Sequence, residues 1–100
     1  MTYLVVDQRV EDVERWRTAF SSANDHRRRA GGELAMVLTD PADPHRILVI
    51  VEFDSPENAA AWRTRPNSER EFAAGGVIPD SVTVRVLDRL PMPTGAIPPK

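Results

Sequence analysis

The first stretch, TYLVVDQRV (2–10), is β-branched and aromatic and reads as a strand. From Val10 the period changes. Val13, Trp16, Phe20 and Ala23 recur at helical spacing, with Glu11, Asp12, Glu14, Arg15 and Arg17 between them. Acidic residues fill the first turn, Arg27 to Arg29 fill the last, and Gly31-Gly32 end it, an order that the helix dipole and glycine C-caps favour. ELAMVLT (33–39) and RILVIVEF (46–53) are two further strands about the proline-bearing turn DPADPH. Ser55 can cap a second helix with Pro56 at its first position, and Ala59, Ala60 and Trp62 continue it to Pro66. SEREFAA extends the helical region to Gly75-Gly76, and SVTVRVLDRL (81–90) is the last strand.

The order β-α-β-β-α-β predicts an α+β, ferredoxin-like domain over residues 1–90 with a four-stranded antiparallel sheet. The proline-rich PMPTGAIPPK (91–100) reads as a loose tail. Such a sheet, with helices on one face, ordinarily alternates apolar and polar residues. Here Tyr3 and Val5 oppose Leu4 and Val6, Ala35 and Val37 oppose Leu34, Met36 and Leu38, and Ile47, Val49, Val51 and Phe53 oppose Leu48 and Ile50. Both faces are apolar, and no part of the chain is left to cover the second. The expectation is a homodimer packed sheet against sheet, a dimeric α/β barrel.

Composition narrows the function classes. The chain has 100 residues, no cysteine and a net charge of −2. That is enough for one domain with its own core, without disulfides, thiolate metal sites or a cysteine nucleophile. The acidic balance argues against nucleic acid. The N-terminus lacks a basic leader segment, and no apolar run is long enough to span a membrane, so a cytoplasmic location is expected. His26 and His45 sit on different elements, and the Asp40–Asp43 loop lacks the glycine and glutamate of a calcium loop. With no phosphate loop or nucleophile elbow either, no metal and no cofactor are expected.

SSANDHRRRAGG (21–32) carries the densest basic run. Projected at 100° per residue about Phe20, Val13 and Arg27 each lie roughly 20° from the centre of the buried face, and Trp16 and Asn24 about 40° to either side. Arg28 and Arg29 point to solvent and close the helix. Arg27, with Asn24, continues the apolar stripe. Either the helix has run past the core edge and Arg27 snorkels along it, or the two residues form the polar end of a cavity that orients an oxygen-bearing ligand. Asp25 and Glu33 close by, and the absence of interleaved aromatics, argue against a nucleic-acid grip. Asp7 is the candidate base: a carboxylate on an apolar strand is desolvated and its pKa raised, unless the strand end reaches water. Glu52, on the face opposite Phe53, is expected at the dimer seam beside Arg46 or Arg85. His45 is expected exposed in its turn, and His26, on the helix flank, either at the surface or at the cavity mouth, where it could shuttle a proton.

The unit order, the doubly apolar sheet and the stretch VEFDSPENAAAWRTRPNSEREF (51–72) resemble the antibiotic-biosynthesis-monooxygenase-like family of dimeric α/β barrels. The resemblance covers about residues 2–90 and is carried by Glu52, Asp54, Ser55, Glu57 and Pro66. The family's tryptophan position is Phe53 here, its histidine positions fall on Trp62 and Asn67, and the counterpart of its strand-one asparagine is Asp7. Those departures remove the residues on which haem chemistry in the family relies and draw the chain toward the small cyclase-labelled branch. The resemblance implies a cavity in which Phe53, Val51 and Val49 face the helices, with Tyr3, Val5 and Asp7 as the strand-one lining and Trp16, Phe20 and Trp62 as walls. Such a cavity suits a flat, hydrophobic aromatic or polyketide-like molecule. One reading is a cofactor-independent oxygenase or cyclase, with Asp7 as base and Arg27 and Asn24 on the oxyanion. The others are a non-catalytic small-molecule binder or accessory subunit, and a dimerisation module without a cavity.

Overall fold

Four antiparallel strands form one sheet: β1 (Thr2–Arg9), β2 (Gly32–Asp40), β3 (Asp43–Phe53) and β4 (Thr83–Asp88), in the spatial order β2-β3-β1-β4. The helices are α1 (Val13–Ser22), α2 (Asn24–Arg29), α3 (Pro56–Arg63) and α4 (Ser68–Ala74), and a short 3₁₀ turn at Pro79–Ser81 leads into β4. This computed structural model describes residues 1–66, 68–93 and 95. Asn67 and most of the tail expected to be loose lie outside the described residues. Among the described residues, no helix is long and apolar enough to cross a membrane.

Two of the helices, α1 and α3, begin on a side-chain cap. The Asp12 carboxylate accepts from the backbone N–H groups of Glu14 (2.9 Å) and Arg15 (3.2 Å). Ser55 Oγ accepts from Asn58 N (3.1 Å), with Pro56 following. A cap of this kind stabilises its helix by about 1 kcal/mol. Val10, read as the last residue of the first strand, lies just past β1, where it bridges to Val77 and is buried. That helix is not one unbroken rod. At Ala23 (φ −93°, ψ 4°) the turn tightens, Ala23 N–H reaching back to Phe20 O, and α2 resumes with Arg27 N–H on Ala23 O. Gly31, at φ +91°, ends α2 as the sequence suggests, its N–H on the Arg28 carbonyl.

Register decides which residues meet the helices. Thr2, Leu4, Val6 and Gln8 pair with Phe53, Val51, Val49 and Ile47, so the even positions of β1 share the helix-covered face with the odd positions of β3. The core is built there, from Leu4, Ile47, Val49, Val51 and Phe53 beneath Trp16, Ala59, Trp62 and Val77. Tyr3, Val5 and Asp7 therefore lie on the other face, which corrects the expected phase of strand one. A bulge between Leu34 and Met36 puts those two side chains on opposite faces of β2, against the simple alternation expected for them. The uncovered face carries Val5, Met36, Leu38, Leu48, Ile50 and Leu87; Met36, Leu38 and Leu87 are nearly half exposed.

Candidate functional site

Between the covered face and the helices lies a cavity of about 310 Å³, at the lower end of the range for small-molecule pockets. Leu4, Val6, Val49 and Val51 form its floor, and Trp16, Phe20, Trp62 and Phe72 its aromatic walls. The Trp16 and Phe20 rings stack at 4.8 Å between centroids, as helical spacing of four residues permits. Phe53 is fully buried and its ring tilts against Trp62 at 6.4 Å, so it backs the wall without forming it.

Arg27 enters this apolar space. It is 3% exposed, and its guanidinium lies 3.9 Å from the centre of the Phe20 ring. Nη1 donates to Asn24 Oδ1 (2.7 Å) and Nη2 to the Phe20 carbonyl (3.1 Å), the carbonyl at the tightened turn before Ala23. Both acceptors are neutral, and no carboxylate is within ion-pair distance among the described residues. Burial, reinforced by the nearby Arg65 charge, pulls its pKa below the ordinary arginine value, while Glu71 opposes the shift. The guanidinium remains charged throughout the physiological range, with donors to spare.

Arg65 stands at the same end of the cavity. Its guanidinium lies 3.9 Å from the centre of the Trp62 ring, and it donates to the Trp62 carbonyl (2.8 Å) and to Glu71 Oε2 (2.7 Å from Nε). His26 packs edge-on to Trp62, with Nδ1 3.8 Å from Glu71 Oε1. Glu71 is thus taken by Arg65, Arg27 is left without an ion pair among the described residues, and the aromatic cavity ends in net positive charge. At the other end is Gln8, 2% exposed, whose side-chain oxygen has no protein hydrogen-bond partner among the described residues.

The structure brings together Trp16, Phe20, Arg27, Val51 and Trp62 from the set expected for the site. Asn24 is exposed and steadies Arg27 from outside. Tyr3 and Val5 face away, the Tyr3 hydroxyl accepting from Arg89 (2.7 Å). Asp7 also faces away, and its environment reverses the expected shift. Arg46 donates to both carboxylate oxygens, at 2.8 and 3.2 Å, and holds the pKa below its ordinary value against a smaller effect of burial. Arg46 is thereby committed to Asp7, not to Glu52. Arg28 and Arg29 are exposed at the helix end, as expected; His45 is exposed too, but it belongs to β3 and not to the turn.

Gln8, Arg65 and Glu71 are among the lining residues that escaped the sequence reading. Gln8 had a signal, since it shares the parity of Leu4 and Val6. Arg65 and Glu71 had none, because a spacing of six across Pro66 belongs to no single helical period.

No protein-family model matches the sequence, and no curated protein matches it. Solved structures do match. A candidate antibiotic biosynthesis monooxygenase from Bordetella bronchiseptica superposes with a TM-score of 0.72 at 12% identity, over 89% of this chain and 96% of that one. Another antibiotic biosynthesis monooxygenase gives 0.67 at 12%, over 91% of this chain and 100% of the other. A candidate from Deinococcus radiodurans gives 0.66 at 13%, over 94% and 97%. At such identities the likeness is one of architecture, and the chain has the antibiotic-biosynthesis-monooxygenase-like fold.

Proposed function

We propose that the cavity binds a flat aromatic, enolisable metabolite and that the protein acts on it as a cofactor-independent oxygenase or cyclase. The observation that carries this reading is Arg27, a buried cation inside an aromatic cavity with neutral acceptors only. A desolvated charge is costly unless paired. A ligand oxygen that gains negative charge supplies the missing partner, and the interaction strengthens as an enolate forms. Oxygenation and cyclisation share that first step. In the former, O2 converts an activated CH2 to C=O with release of water, the carbanion furnishing the electrons; in the latter the carbanion adds to a carbonyl of the same molecule.

Proton removal falls to His26, the imidazole nearest the charged end, with Glu71 beside it. A second reading, a non-catalytic binder or accessory subunit, is favoured by one specific observation: His26 keeps a side-chain exposure of 58%, while Glu71 is held by Arg65. Binding of anthrone-type or naphthol-type compounds, with oxygen uptake and loss of deuterium from the activated carbon as readouts, separates the two. Enzyme action gives exchange that His26→Gln abolishes. Saturable binding with neither exchange nor oxygen uptake establishes the binder instead.

We further propose that two copies pair through the uncovered apolar face, completing a dimeric barrel. The run of Val5, Leu38, Leu48, Ile50 and Leu87 along this face supports this, with Leu38 and Leu87 nearly half exposed. The absence of cysteine from these 100 residues supports a cytoplasmic setting.

A further inference from the structure

We infer that Gln8 sets the ligand specificity of this cavity: its side-chain amide accepts a hydrogen bond from a hydroxyl group at the end of the ligand remote from Arg27. The inference rests on the reading of the cavity as a small-molecule site.

Gln8 occupies a position where an apolar residue would cost less. Its strand-face companions are Leu4 and Val6, and across the ladder it pairs with Ile47. A buried amide oxygen without a donor costs free energy comparable to a lost hydrogen bond. The backbone donors around it are spent elsewhere. Val10 N–H goes to His45 O (2.9 Å), Glu11 N–H to Gly76 O (3.0 Å), Val77 N–H to Phe72 O (3.0 Å) and Ile78 N–H to Arg9 O (2.9 Å). The described residues therefore supply no donor to this oxygen, and Gln8 lines the cavity.

Position gives the ligand its shape. Arg27 Cγ lies near Gly32, which pairs with Phe53, the partner of Thr2. Gln8 sits at the opposite end of β1, beside the Val10–Val77 bridge. The Trp16–Phe20 stack and the floor of Leu4 and Val6 lie between them. The cavity is thus two-ended: a donor is demanded at one end and an anionic or enolic oxygen at the other, across a flat apolar middle. A neutral amide oxygen accepts from a phenol or enol O–H and gains nothing from an ether or a bare ring edge. Sites that hydrogen-bond a hydroxyl reject analogues lacking it far more strongly than apolar pockets reject a changed methylene.

Three probes test this by isothermal titration calorimetry: 6-hydroxy-2-naphthoate, 6-methoxy-2-naphthoate and 2-naphthoate, each offering the same carboxylate to Arg27. Wild-type protein is expected to bind the hydroxy compound about 10-fold more tightly than either other probe. Gln8→Leu is expected to bring that ratio near one by weakening the hydroxy compound alone. Equal affinities for the three probes in the wild type overturn the role of Gln8 while leaving the Arg27 reading standing. A preference that survives in Gln8→Leu also overturns it, because the hydroxyl is then read elsewhere. Failure of all three to bind overturns both. Should Gln8→Leu fold poorly, Gln8→Met and the wild-type ratio decide.

Discussion

A single arginine and a single aspartate separate what side-chain chemistry suggests from what position allows. Arg27 was legible from helical phase alone, because the break at Ala23 leaves its azimuth on the buried face. Replacing it with methionine keeps the stem and removes the charge. Affinity for an aromatic carboxylate should fall about 10- to 100-fold, with the far-UV circular dichroism unchanged; calorimetry checks both. Asp7, a carboxylate among apolar neighbours, suggests a base, yet residue type does not reveal which face it occupies. Its pairing with Arg46 depresses its folded pKa, so the stability it contributes is present above the ordinary aspartate value of 3.8 and lost as pH falls through the lowered one. Asp7→Asn should accordingly leave ligand binding intact. Its small cost in urea midpoint at pH 7 should vanish in acid, below that value.

At the scale of elements, the four strands, the Ser55 start of α3 and the glycine stop were readable, since each has a local cause. The phase of β1 was not, because Tyr3 and Val5 are as apolar as Leu4 and Val6 and only the register against β3 tells them apart. The bulge in β2 was hidden for the same reason. The adjacent glycines at the end of α2 have separable duties. Gly31 has φ +91°, and a Cβ there would sit 2.6 Å from the Asp54 carboxylate. Gly31→Ala should cost about 1–2 kcal/mol of stability without touching the ligand site. At Gly32 a Cβ would lie 2.8 Å from the Phe53 ring and 3.2 Å from Arg27 Cγ. Gly32→Ala should cost about 1–3 kcal/mol and weaken ligand binding as well, since the residues that must move hold the cavity. Chemical denaturation and calorimetry on the pair distinguish the two.

For the whole molecule, one sheet face closes a cavity and the other is left apolar. Native mass spectrometry should record a dimer, and Ile50→Lys, which puts a charge at the centre of that face, should record a monomer with its helical signal intact. A wild-type monomer would remove the barrel from the account but not the cavity. The cavity itself is best tested by the two indole N–H resonances of the chain, from Trp16 and Trp62, which stand on different helices and both line it. In a titration with 2-naphthoate followed by ¹H–¹⁵N correlation spectra, both indole signals should move saturably and together in the wild type. In Arg27→Met they should scarcely move at the same concentrations. Indole signals that stay fixed, or that respond equally in the two proteins, would contradict an aromatic ligand held at Arg27.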